Sequence, residues 1–224
     1  MFEKEELDIS RITYESSGVK LEGLIFKPNQ TGKFPGVIFI HGHMSSCWNS
    51  SFIGYFLSQV GFTAFLPTQM GYVFSGGEPD FCGPKTVKGI IDGIKLFLEE
   101  PYVDKERIGI WGISRGATVA ASVATKEPAL FKAAVFQSGA YDMKKNYETL
   151  KIQGIRENIE KEAGATEAVF KERSPVYDIA KINFPILILH GEKDENISVE
   201  QARLLNEELN RLGKTHQTII LPEA

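Results

Sequence analysis

The chain has 224 residues, a formal net charge of −4 and ordinary hydrophobic content. That length suffices for one domain with a substantial core, and the mild acidity disfavours nucleic acid, whose binders concentrate Lys and Arg. The start "MFEKEELDIS" has no apolar run to serve as a secretory signal, and no stretch nears the ~20 apolar residues of a membrane helix.

The first elements predicted are antiparallel strands, "ELDISRITYES" and "KLEGLIFKP", joined by the turn "SSG". Both alternate roughly with period two. The pattern then changes to short continuous apolar runs: "FPGVIFIHG", "FTAFLPT", "RIGIWGIS", "KAAVFQSGA" and "FPILILHG". Such runs suit strands covered on both faces of a parallel sheet. Helical patterns lie between them. "SSFIGYFLSQVG" precedes the second run, and "GPKTVKGIIDGIKLFLEE" carries an apolar stripe at Val87, Ile90, Ile91, Ile94, Phe97 and Leu98. "GATVAASVATKEP" is small enough to pack close to a sheet, and "SVEQARLLNEELNRLG" has a Ser start and a Gly stop. Alternating strands and helices imply an α/β sheet with crossover connections, in a single domain. Residues 143–182 are charged, helix-prone and too long for a simple crossover, so they read as a helical insertion over one end of the sheet.

The central chemical signal is Gly112-Ile113-Ser114-Arg115-Gly116, a G-x-S-x-G pentapeptide between a predicted strand (107–111) and a predicted helix (117–125). The chain must turn sharply there, and the two glycines remove side chains that would collide. Ser114 is the candidate nucleophile. A serine also needs a base and a pocket for the oxyanion. The loop "FIHGHMSS" follows the first core strand, and the N–H groups of His43 and Arg115 are assigned as oxyanion donors. His41 then reads as a loop anchor and His43 as a wall residue. Asp194, on the loop after "FPILILHG", is the candidate acid that orients an imidazole. Glu192, Glu195 and Asp142 compete with it. Tyr72, Phe74 and Phe81, in "MGYVFSGGEPDFCGPK", are expected to line the substrate pocket, with the insertion as its other wall. Cys47 and Cys82 read as buried free thiols of a cytoplasmic protein. No CxxC or HExxH spacing supports a metal, and no organic cofactor is expected.

Together these pieces resemble the α/β-hydrolase fold, and more narrowly the catalytic domain of prolyl-oligopeptidase-type peptidases and their esterase relatives. The residues that carry the resemblance are "GVKLEGLIFKP", "FPGVIFIHGH", "GISRG" and "FPILILHGEKDENISVEQARLLNEELNRLGK". The resemblance implies a mostly parallel twisted sheet with helices on both faces and the order Ser, Asp, His. It makes Ser114 the nucleophile and Asp194 the acid, and it places the histidine on a loop after the last strand. Here that strand is "THQTIILP", and the sequence stops at "PEA". His190, His216, His41 and His43 are poor substitutes for the base.

The expectation is therefore a serine hydrolase of small esters, thioesters or short peptides, cut short of its base. A prolyl-oligopeptidase-type peptidase and a non-catalytic binding protein with the same fold are the competing readings. A chain that lacks the closing helix should also expose apolar sheet surface and tend to self-associate. Turnover of a p-nitrophenyl acyl ester checks this. The 224 residues should fall about 10⁴- to 10⁶-fold below a form extended past Ala224 with a histidine-bearing loop. Equal turnover by the two would defeat the expectation.

Overall fold

The computed structural model describes residues 8–224; the acidic start, and with it the first two residues of the expected first strand, lie outside the described residues. Strands β1 (Asp8–Ser16) and β2 (Val19–Lys27) pair antiparallel. Ser17 and Gly18 turn between them with φ of 52° and 78°, the positive values a two-residue hairpin loop favours. Then come β3 (Phe34–Ile40), β4 (Thr63–Pro67), β5 (Val103–Ile113), β6 (Ala133–Gln137), β7 (Ile186–Gly191) and β8 (His216–Leu221). They form one eight-stranded sheet in the order β1-β2-β4-β3-β5-β6-β7-β8. β2 runs antiparallel to β4, and every pairing from β4 onward is parallel. This is an α/β-hydrolase sheet with antiparallel strands at its N-terminal edge. β5 is longer than the apolar run predicted, because its charged first half pairs with Phe34 and Pro35 before a register shift.

Helix α1 (Ser51–Gln59) packs on one face of the sheet, beside Phe26, Phe39 and Leu66. Helices α2 (Pro84–Phe97) and α3 (Arg115–Lys126) pack on the other, with Ile38, Ile40, Ile110, Phe136 and Ile188. The stripe predicted for α2 is buried throughout. Pro84 occupies its first turn, and the Asp80 carboxylate accepts the free N–H of Lys85 at 2.8 Å, which satisfies a helix-start donor. α3 is buried along nearly all its length because alanines at 117, 120, 121 and 124 let it press onto the strands. The insertion forms α4 (Met143–Thr149), α5 (Gln153–Glu162) and α6 (Glu167–Glu172), followed by a 3₁₀ turn at Pro175–Lys181. Finally α7 (Glu200–Arg211) inserts Ala202, Leu205 and Leu209 into the larger core. Gly213, at φ 62°, ends it, with Lys214 N–H reaching Leu209 O at 2.9 Å.

The two faces are covered unequally. Beyond α1, the face carrying Val37, Trp111, Val135, Leu187 and Leu189 is only half-buried, and Ile219 and Leu221 on β8 are exposed. An apolar groove of about 380 Å³ runs over β3, β5 and β6 there. Burial sets the energetics of each position. Leu205 is fully buried, so Leu205→Ala should cost about 2–5 kcal/mol in urea unfolding. Leu221→Ala, on the open face, should cost less than about 0.5 kcal/mol.

Candidate active site

The site begins with a backbone constraint. Ser114 joins β5 to α3 at φ 55°, ψ −126°, a conformation that non-glycine residues rarely hold and that costs on the order of 1–3 kcal/mol. The neighbours enforce it. A Cβ on Gly112 would lie 2.2 Å from Gly116 O, and one on Gly116 would lie 2.1 Å from Ile40 O. The end of β5, the start of α3 and the end of β3 therefore interlock backbone to backbone, which only glycine permits. Ser114 N–H donates to Gln137 O at 2.8 Å and fixes the bend to β6. The half-buried Ser114 then faces a cavity of about 240 Å³ that His43, Phe81, Cys82 and Arg115 also line.

The loop after β3 lies directly against the serine: a Cβ on Gly42 would be 3.5 Å from Ser114 Cβ. Arg115 is the first residue of α3, so its N–H has no acceptor within the helix. His41 is buried; its Nε2 accepts from Gln69 N–H at 3.0 Å, and Gln69 Nε2 donates back to His41 O at 2.6 Å. His41 Nδ1 is thus the protonated nitrogen, facing Gly42 O at 2.7 Å. Burial pulls its pKa down to about 4, so the ring is neutral and anchors the loop.

His43 and Arg115 are held as a pair by their surroundings. Asn158 Nδ2 reaches His43 Nε2 at 3.2 Å, and His43 Nδ1 meets Tyr72 Oη at 3.0 Å. Burial, helped by the Arg115 cation, lowers the His43 pKa. Arg115 Nη1 donates to Tyr72 Oη at 2.7 Å and pairs with Glu162 at 2.9 Å. Both side chains of that ion pair are largely buried. The guanidinium lies 4.7 Å from the Phe81 ring centroid and 5.1 Å from that of Tyr72. Glu162 also accepts from Phe81 N–H at 3.1 Å. Burial pushes both Tyr72 and Cys82 up to about 12, so they stay neutral. Asn158 and Glu162 are four residues apart on α5, on one helical face. The sequence reading passed over both, since nothing local marks which face of a charged helix turns inward.

The predicted pocket residues divide. Phe81 lines the cavity and Tyr72 stands behind it against Arg115. Phe74 does not join them. It is 66% exposed, with the Arg11 guanidinium 5.3 Å from its ring, because the loop turns it outward.

Asp194 lies past the end of β7. Its Oδ1 accepts from Asn196 N–H at 2.9 Å and Ile197 N–H at 3.0 Å, which orients the carboxylate. It borders a cleft of about 450 Å³ with Ser138, His190 and Asn196. Asn196 also lines the Ser114 cavity, so the two hollows adjoin. Two of the competing acids are engaged elsewhere. Asp142 caps α4 through Lys145 N–H at 3.1 Å, and Glu192 pairs with Arg203 at 2.7 Å. Glu195 borders the same cleft as Asp194 and is exposed. His190 is buried, with Nε2 at 2.9 Å from Ile197 O. His216 lies at the opposite end of β8, against Asn206 at 3.1 Å. Among the described residues there is no cluster of three or more His, Cys, Asp or Glu placed for a metal. None of the described helices is long and apolar enough to cross a membrane.

Comparison with known proteins bears on this arrangement. Residues 68–224 match the prolyl oligopeptidase family. The chain is 32% identical to the uncharacterized peptidase YtmA of Bacillus subtilis (strain 168), over 92% of this chain and 81% of that one. It is 26% identical to the uncharacterized peptidase YuxL of the same organism, over 92% of this chain but 33% of that one. Among solved structures, Pyrococcus horikoshii acylaminoacyl peptidase superposes with a TM-score of 0.84 at 22% identity. That match covers 98% of this chain and 38% of the other.

Two outcomes test the geometry. Glu162→Ala strands a buried cation and should cost about 3–5 kcal/mol in chemical denaturation. His41 has a folded pKa below its unfolded value of about 6.5, so the unfolded chain binds the extra proton between pH 6.5 and about 4. Stability should fall as pH drops through that window, by on the order of 3 kcal/mol in full. Unfolding curves at pH 7 and pH 5 should differ less for His41→Gln than for the parent chain.

Proposed function

The chain belongs to the prolyl oligopeptidase family, and from that premise we propose that it is a serine hydrolase acting on acyl bonds of short peptides and of matching esters. The observation that carries this is Ser114 itself, raised on a strained strand-to-helix bend at a cavity, with the β3 loop packed against it. Ser114 Oγ attacks the carbonyl carbon. The N–H groups of His43 and Arg115 receive the oxyanion. Backbone donors of this kind are fixed in advance of the reaction and contribute by needing no reorganisation when charge develops. Asp194, its Oδ1 held by two amides, orients an imidazole in the adjoining cleft. That imidazole takes the serine proton and returns it to the departing amine or alcohol. Water then releases the acyl group by the same steps.

Peptide bonds join small esters as substrates here because two relatives are named as peptidases and a fold neighbour is an acylaminoacyl peptidase. The chain spans 33% of YuxL and 38% of the Pyrococcus enzyme, so what those longer proteins do comes to it only as a proposal. With the base present, a fluorophosphonate probe should label Ser114, and Ser114→Ala should abolish labelling. Turnover of matched p-nitroanilides and p-nitrophenyl esters, with the base present, then ranks amide against ester. Labelling at a different serine would overturn the assignment.

A further inference from the structure

We infer that Asn146 is a specificity residue, and that its carboxamide receives a neutral carboxamide at the tip of a substrate side chain, as in glutamine. This rests on the acyl-hydrolase reading of Ser114. Asn146 lies on α4. Met143, one turn before it, lines the Ser114 cavity, and Leu150, one turn after, lines a cleft of about 430 Å³ bordered by Asp194. Asn146 lines both hollows, although only 2% of it is exposed. Its N–H donates to Asp142 O at 3.0 Å, and its O accepts from Leu150 N–H at 3.0 Å. The side-chain amide has no partner among the described residues, yet neither of its atoms is sealed from water. The little surface that Asn146 keeps therefore includes an open donor and an open acceptor.

Besides Ser114, the other polar side chains on this wall are engaged, sealed or out at the rim. Both ring nitrogens of His43 have partners in Tyr72 and Asn158. Thr118 Oγ1 accepts from Ala140 N–H at 3.1 Å, the unpaired Nε and Nη2 of Arg115 are closed off from solvent, and Asn196 is exposed. The rest is apolar, with Phe81, Met143, Ile155 and Ile197. At about 240 Å³ the space falls below the roughly 300–1,000 Å³ typical of ligand pockets, so it admits one side chain rather than an extended peptide. His43 and Arg115, the assigned oxyanion donors, both line it, so the side chain that enters belongs to the residue whose carbonyl is attacked. That side chain displaces the water on Asn146. An apolar one leaves both amide atoms unpaired, a carboxylate satisfies only the N–H, and an ammonium only the oxygen. A carboxamide answers donor with acceptor and acceptor with donor, and a site built around such a bond rejects analogues that lack it.

Binding decides this without requiring turnover. Benzyloxycarbonyl amino-acid amides of Gln, Glu and Met are titrated by calorimetry into the chain and into its Ser114→Ala form at pH 7. The three share one backbone and nearly one shape, so a difference among them belongs to the tip of the side chain. The Gln amide should bind about 5- to 100-fold more tightly than either of the others. Asn146→Leu removes no hydrogen bond within the protein and should invert the order, with Met ahead of Gln. A purely structural role for Asn146 would weaken all three alike. Equal binding of the three by the parent chain, binding of none, a Glu or Met preference there, or a Gln preference that survives in Asn146→Leu would each overturn the assignment. Should Asn146→Leu fail to fold, Asn146→Ala makes the same comparison, and the ranking by the parent chain still decides. With the base present, fluorophosphonate labelling of Ser114 without a Gln preference rejects this inference alone. A Gln preference without labelling rejects the hydrolase reading and leaves the carboxamide receptor standing.

Discussion

The structure turns on one crowded point, where backbone from β3, β5 and α3 meets with no side chain between. Gly112 and Gly116 touch almost atom to atom, and Gly116 abuts Ile40. Ser114 has no freedom to relax there, so it keeps a positive φ that an isolated serine would abandon. The strain is sustained by the parallel sheet around it, whose strands are fixed by the buried face of Ile38, Ile40, Ile110 and Phe136. A cooperative core can hold one residue in a poor conformation because shifting it would move three elements at once.

From that point the polar groups spread outward through Arg115. Its side chain collects Tyr72, His43 and Glu162, and Asn158 secures His43 from the same side. Two loops that follow strands β3 and β4, and one insertion helix, thus converge on the residue that follows Ser114. The insertion is a structural part of the site rather than an ornament of it. Its helix α5 carries the counter-charge without which the buried guanidinium would be costly. Neutral His41, Tyr72 and Cys82 complete the surroundings, each kept uncharged by burial.

Two adjoining hollows lie at this end of the sheet. Ser114 faces one and Asp194 the other, with Asn196 on their shared border. On the underside the sheet is unequal: α2, α3 and α7 seal one face, while α1 covers only part of the other and leaves Ile219 and Leu221 exposed. The site therefore sits above the well-packed half of the molecule, where positions are held most tightly.

Much of this was legible in the residues themselves. The apolar runs marked β3, β4, β6 and β7, because a strand buried on both faces must be apolar throughout. The stripe from Val87 to Phe97 marked α2, and G-x-S-x-G marked the bend, because these patterns satisfy local stereochemistry and need no distant partner. What the sequence could not decide was the company each side chain keeps. Tyr72, Phe74 and Phe81 share a loop and read alike, yet Phe81 lines the cavity, Tyr72 backs Arg115 and Phe74 turns outward to Arg11. Asn158 and Glu162 looked like two more polar residues on a charged helix until the insertion folded over the elbow. Local order follows from spacing along the chain, whereas the pairing of Arg115 with Glu162 exists only because the sheet brings remote segments into a space that excludes water.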